Sequence, residues 1–324
     1  MRLSRLVLPA LALAAGTFGH RAARNTAQAL QSRPAAYPLE KLRQPLEGER
    51  AIITREDGTR LFAITSGSGP TVLLAHGFAI SLLEWNIIAE QLVARGCRVI
   101  AFDQRGHGQS TIGRDGIGSQ QMAGDYKAVL EHFDVRDAVL VAHSMGGFLA
   151  MVFMLTYPDV VRDRLKGAVL MSTFAGNVME GSPQNALQIP LIQSGVMQWV
   201  ARSDVYGTLF ASTLYGSQPD PSGMKVFLEV FAAQNYGPLL PILRAMAEED
   251  YYRRLGEIQV PCTVICGRLD RTTPPWHSEL LAQNIPNATL RWLEGKGHLL
   301  NWEAPDAITQ AALDLIGQVE TVTS

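Results

Sequence analysis

The chain has 324 residues, 47% of them hydrophobic and 18% charged, a balance that allows a sizeable core and excludes both a disordered chain and a multi-span membrane protein. Its formal net charge is −2 with Lys and Arg scattered along it, so there is no basic footprint for a nucleic-acid backbone. The three cysteines, Cys97, Cys262 and Cys266, have neither zinc-site nor secreted-scaffold spacing and read as packing residues.

At the N-terminus, Arg2 and Arg5 precede an uncharged stretch to about Gly19 with an apolar heart at Leu6 to Ala15. That pattern predicts a signal peptide or short membrane anchor over 1–19, although the apolar run is shorter than the roughly 18 to 20 residues of a membrane span. An amphipathic helix lying on the body or on a membrane surface is the other reading. An exported or envelope-associated protein is expected ahead of a cytoplasmic one. Residues 20–49, rich in Ala, Arg, Gln and Pro, read as a linker.

Ala51 to Thr54 and Arg60 to Thr65, joined by Asp57-Gly58, predict an antiparallel hairpin. Strands then alternate with helices: strand Thr71 to Ala75, helix Glu84 to Arg95, strand Arg98 to Phe102, helix Gln121 to Phe133, strand Ala138 to Ala142, helix Met145 to Tyr157 stopped by Pro158, and strand Gly167 to Ser172. Short, nearly continuous apolar strands separated by helices indicate a parallel sheet covered on both faces. The rhythm breaks over 176–256, where helical and loop-like sequence reads as an inserted cap. It resumes with Cys262 to Cys266, a helix from Pro274 to Ile285, strand Thr289 to Leu293 and a helix from Pro305 to about Val319. The expectation is an α/β fold: a mostly parallel, twisted sheet of about eight strands with helices on both faces, its core formed by 50–175 and 257–324 around the helical cap.

A serine becomes a nucleophile only when a base takes its proton, the base is held in one tautomer and donors await the oxyanion. Ala142-His143-Ser144-Met145-Gly146-Gly147 lies between an apolar strand and an apolar helix, and a strained strand-to-helix turn there needs small residues two places either side of the serine. Ala142 and Gly146 meet that need. Ser144 could equally be a helix N-cap. Asp270 lies in Gly267-Arg268-Leu269-Asp270 after a strand, where open sheets gather their active sites; its alternative role is to cap the helix near Pro274. His298, in Gly295-Lys296-Gly297-His298, follows the next strand and is the candidate general base. The other motif is His76-Gly77-Phe78-Ala79, directly after the strand ending at Ala75.

Together these segments resemble the α/β-hydrolase family from about Arg50 to Ile316, with Ala142 where the family's elbow most often has glycine. The resemblance implies a triad of Ser144, Asp270 and His298, in the chain order of that fold, and an oxyanion hole from the backbone N–H groups of Phe78 and Met145. His76 and Gly77 support the first loop, and Ala142, His143 and Gly146 the elbow; His143 is too constrained to be the base and lines the pocket. His107, in a loop the family also shares, is given a structural role. The resemblance further implies acyl transfer with no metal or organic cofactor, on a small-molecule ester that the apolar cap sequence makes lipophilic, as for an esterase or lipase. A serine at 144 argues against the epoxide and halide chemistries of relatives with an aspartate there. The same triad would also serve a C–C bond hydrolase, lactonase, perhydrolase or acyltransferase, and a binding protein could retain the fold without catalysis.

Overall fold

A computed structural model describes residues 19–317, so the signal or anchor reading lies, but for Gly19, outside the described residues. The first described element is a helix over 19–31 (α1), followed by α2 (Leu39–Arg43), β1 (Glu49–Thr54), β2 (Arg60–Ser66) and β3 (Thr71–Ala75). A 3₁₀ turn, Leu82–Trp85, leads into α3 (Asn86–Ala94), β4 (Arg98–Phe102), α4 (Ser119–His132), β5 (Ala138–His143), α5 (Met145–Thr156), α6 (Pro158–Arg164) and β6 (Leu165–Met171). Between β6 and the next strand run α7 (Pro183–Gln193), α8 (Val196–Arg202), α9 (Asp204–Ser212), α10 (Pro221–Ala233) and α11 (Leu240–Glu248). The chain then returns to the sheet with β7 (Cys262–Gly267), α12 (Pro275–Asn284), β8 (Ala288–Leu293), α13 (Leu300–Glu303) and α14 (Pro305–Gly317).

The eight strands form one sheet in the order β1-β2-β4-β3-β5-β6-β7-β8. β1 and β2 are antiparallel to each other, β2 is antiparallel to β4, and every later pairing is parallel. The side-chain period of two sorts the central strands between two cores. Leu73, Leu140 and Ala142 join Phe148 and Tyr126 on one face, while Val72, Val139 and Val141 join Leu92 and Ile308 on the other. β5 is therefore buried on both sides along its whole length, which fixes the strand end from which Ser144 projects.

One local reading is corrected. The segment 20–49 is not a plain linker: it carries α1 and α2, which dock on the body. Ala27 and Leu42 are buried, Gln31 Nε2 donates to Thr208 Oγ1 at 2.8 Å, and Asn86 Nδ2 donates to the Lys41 and Leu42 carbonyls, both at 2.9 Å. Ala, Gln and Arg are good helix formers, and the partners that order this segment lie far along the chain. Pro158 stops the preceding helix, as the sequence predicts, and α5 ends at Thr156. It also opens α6 at a first-turn position, where a missing N–H costs nothing.

Candidate active site

The loops after β3, β5, β7 and β8 leave one edge of the parallel sheet, and the sequence-predicted residues meet there. Ser144 has φ 53° and ψ −119°, a strained conformation for a residue with a Cβ, held by its surroundings. Its N–H donates to the Met171 carbonyl at 3.1 Å, and its own carbonyl accepts from Thr173 Oγ1 at 2.6 Å. Tyr126 holds the next carbonyl but one, donating to Gly146 O at 2.9 Å. Gly146 is required because a Cβ there would collide with the backbone oxygens of Ala75 and His76. Ala142 lies in register between Ala75 and Leu170, and its methyl is fully buried.

Ser144 occupies the N-cap position of α5, yet its side chain makes no capping hydrogen bond. Its Oγ is instead 3.2 Å from His298 Nε2. His298 Nδ1 lies 2.9 Å from Asp270 Oδ2. With that nitrogen donating to the carboxylate, Nε2 presents its lone pair to the serine hydroxyl. Asp270 does not cap α12, whose N-cap is Pro274 without a side-chain bond. Its carboxylate closes on its own loop, with Oδ1 accepting the Thr272 and Thr273 N–H groups, both at 2.9 Å, and Oδ2 accepting Thr273 Oγ1 at 2.8 Å. Burial alone would raise the Asp270 carboxyl, but attraction to His298 and the donors from His298 and Thr273 hold it below the usual carboxylate range.

Ala79, in the loop after β3, has a positive φ of 57°. Among the described residues neither the Phe78 nor the Met145 N–H donates to a protein acceptor, as a pair of donors reserved for an oxyanion requires. Gly77 lets this loop close on the elbow: a Cβ there would stand 3.1 Å from His143 Nδ1 and 3.4 Å from Ser144 Cβ. His76 is wholly buried, accepting the Gln104 N–H at Nε2 (2.9 Å) and donating from Nδ1 to the Gly77 carbonyl (2.8 Å). Burial, with His107 nearby, holds its basicity well below the usual imidazole value, so it is a neutral strut. His107 is buried as well, bonds the Arg105 carbonyl and is pushed down to about 4 by desolvation.

Four further residues act at the site and escaped the sequence reading. Glu84, read there only as the start of a helix, is fully buried beside His143. Thr173 pins the elbow. Leu214, in the segment between α9 and α10, accepts the His298 N–H through its carbonyl at 2.7 Å. Glu303 accepts the Gly297 and Gly216 N–H groups, each at 2.9 Å, which ties the base-bearing loop to the same inserted segment. Burial pushes the Glu303 carboxyl up to about 7.

Ser144 and His298 open onto a cavity of about 270 Å³, walled by Phe174, Leu187, Met197, Phe210, Phe227 and Phe231 among others. Most of those side chains come from the inserted helices. No Lys or Arg is among the described lining residues.

A hydrogen-bonded serine–histidine–aspartate line thus stands at the ends of parallel strands. Comparison with known proteins gives the family. A family model for the alpha/beta hydrolase fold matches residues 70–305, and a non-heme chloroperoxidase of Kitasatospora aureofaciens is 30% identical over 255 residues, 76% of this chain and 91% of that protein. The chain belongs to the α/β-hydrolase family. It is also 28% identical to a 2-hydroxy-6-oxononadienedioate/2-hydroxy-6-oxononatrienedioate hydrolase of Cupriavidus pinatubonensis, across 83% of this chain and 96% of that one. Among solved structures, an esterase from Exiguobacterium antarcticum superposes with a TM-score of 0.73 at 20% identity, covering 83% of this chain and 99% of the esterase.

Proposed function

We propose that the protein hydrolyses a neutral, lipophilic carboxylic ester through an acyl-enzyme on Ser144. The observation that carries this reading is the Ser144–His298–Asp270 hydrogen-bonded line opening into a largely apolar cavity with no Lys or Arg among its described lining residues. His298 Nε2 takes the Ser144 proton as Oγ bonds to the ester carbonyl carbon. The carbonyl oxygen, now an anion, receives the Phe78 and Met145 N–H groups. Collapse breaks the carbon–oxygen bond, and His298 returns its proton to the departing alcohol. Water, deprotonated by His298, then attacks the acyl carbon and releases the acid, restoring Ser144. Asp270 stays ionised throughout and stabilises the imidazolium.

C–C bond hydrolysis, lactone opening, perhydrolysis and acyl transfer would use the same residues. A doubly charged acid such as the dienedioate of the Cupriavidus relative would need a counter-charge, and the cavity lining supplies no Lys or Arg to meet it. The cap-like cover of α7–α11 and its phenylalanines favour an uncharged acyl chain. Export or membrane-surface attachment through Arg2, Arg5 and the Leu6–Ala15 run belongs to the same reading, since it would bring the cavity close to lipophilic substrates. Cell fractionation of the full chain against one lacking residues 1–18 tests that part.

Labelling with a fluorophosphonate tests the enzyme itself. Wild type is expected to label and Ser144→Ala not to; a well-folded wild type that resists the probe refutes an active serine. A chain-length series of p-nitrophenyl esters then defines the acyl preference, and a flat profile from a labelled enzyme rules out the ester reading in favour of the other triad chemistries.

A further inference from the structure

The triad leaves one buried Glu–His pair at its edge without a task. His143, immediately before the nucleophile, is buried with its ring centroid 4.9 Å from that of His298. Its Nδ1 is 3.1 Å from Glu84 Oε2, and its Nε2 is 3.1 Å from the carbonyl oxygen of His298. The His298 carbonyl can only accept, so Nε2 carries a proton, and Nδ1 faces the Glu84 carboxyl group. The other Glu84 oxygen, Oε1, accepts the Gly77 N–H at 3.2 Å. Asn301, just past the base, donates to the Glu84 carbonyl at 3.3 Å.

Two side chains thus reach three parts of the site: the loop bearing Phe78, the elbow and the backbone of His298. We propose that Glu84 and His143 are positioning residues, a hydrogen-bonded brace that sets the distance between the oxyanion donors and His298; this rests on the acyl-transfer reading above. The titratable groups facing the brace are His298 and Asp270 on one side and His76 on the other. Burial lowers the basicity of His143, and the attraction and hydrogen bond of Glu84 outweigh it, raising the imidazole above its usual range. The structural alternative, a pair that merely fills the core, is poorly served by this arrangement, because a buried ion pair is a weak source of stability compared with apolar packing.

The test uses Glu84→Met, which keeps the volume and deletes the carboxylate, and Glu84→Gln, which can retain every bond. In the Gln variant the amide oxygen accepts from Gly77, the amide nitrogen donates to a neutral His143, and His143 Nε2–H still donates to His298. The readouts are the rate of fluorophosphonate labelling, and kcat and KM on the best ester. For the Met variant, labelling and kcat are expected to fall about 100-fold, the scale of a displacement near 1 Å, with KM changed no more than about threefold. Glu84→Gln is expected to recover most of that loss. If Glu84→Met does not fold, the double variant Glu84→Met/His143→Phe leaves no charge unpaired and is expected to show the same loss. A folded Met or double variant that labels and turns over like wild type overturns the brace, as does a Gln variant no better than Met. A wild type that fails to label overturns the acyl-transfer reading instead, so the two failures are distinguishable.

Discussion

The Thr173 hydroxyl donates to the Ser144 carbonyl at 2.6 Å, so the first residue after β6 and its bend holds the strained residue of the neighbouring strand end. The same side chain fills the space beside Gly147, where a Cβ would stand 2.5 Å from Thr173 Oγ1. Thr173→Val keeps the shape and removes the bond. Because the Ser144 carbonyl still accepts the Phe148 N–H at 3.1 Å, the loss of stability is expected to be about 1 kcal/mol, read by urea denaturation. Kinetics on the same variant should show kcat reduced and KM nearly unchanged. A kcat equal to that of wild type would mean that the elbow holds its geometry without this bond.

Ala142 supplies a counter-intuitive prediction. Restoring the commoner family residue with Ala142→Gly should destabilise the protein by about 1 to 2 kcal/mol, since it deletes a fully buried methyl and loosens a strand interior. Gly146→Ala should cost more, because its added methyl meets backbone atoms that cannot move aside. Thermal unfolding ranks the two; a more stable Ala142→Gly protein would contradict the packing described for β5.

Asp270→Asn preserves the size of the side chain but places an amide where His298 Nδ1 donates. The imidazole is expected to adopt the wrong tautomer, with kcat falling about 10³- to 10⁴-fold and the midpoint of unfolding changing little by comparison. Near-normal turnover would move the acid's role to another residue.

Glu303 predicts a pH effect on stability. Its carboxyl is raised by burial to about 7 from an ordinary 4.5, so between those values the folded chain holds a proton that the unfolded chain has released. Its contribution is therefore fully present below about pH 4.5 and lost as pH rises through about 7. Glu303→Gln cannot titrate, and its own cost is the same at every pH. The stability of wild type minus that of Glu303→Gln should fall by about 2 to 3 kcal/mol between pH 5 and pH 8. A difference that stays constant or grows with pH would refute the shift.

The meeting of Ser144, Asp270 and His298 was legible in the chain because each follows a strand whose apolar run is unmistakable, and parallel strands deliver their ends to one edge. Ser144 was ambiguous locally, between cap and nucleophile, since both occupy the same place before a helix; only the distant His298 distinguishes them. Glu84 was hidden for a related reason. A carboxylate at the start of a helix reads as ordinary, and nothing nearby shows that its partner is 59 positions away in His143. The helix over 19–31 was misread because its composition is that of a soluble spacer as much as of a docked helix, and its docking partners, Tyr206 and Thr208, belong to the inserted segment. Leu214 and Glu303 act through a backbone carbonyl and on backbone N–H groups, which leave no motif.

The bond from the His298 N–H to the Leu214 carbonyl makes the cover and the base one mechanical unit. A hinge that lifted the inserted helices at Leu214 would drag the imidazole from Ser144, so the open protein would be idle and the closed one armed. Exchanging these helices as a cassette to change what the cavity takes would then also disturb the position of His298. Substitutions confined to the cavity-facing phenylalanines avoid that interlock.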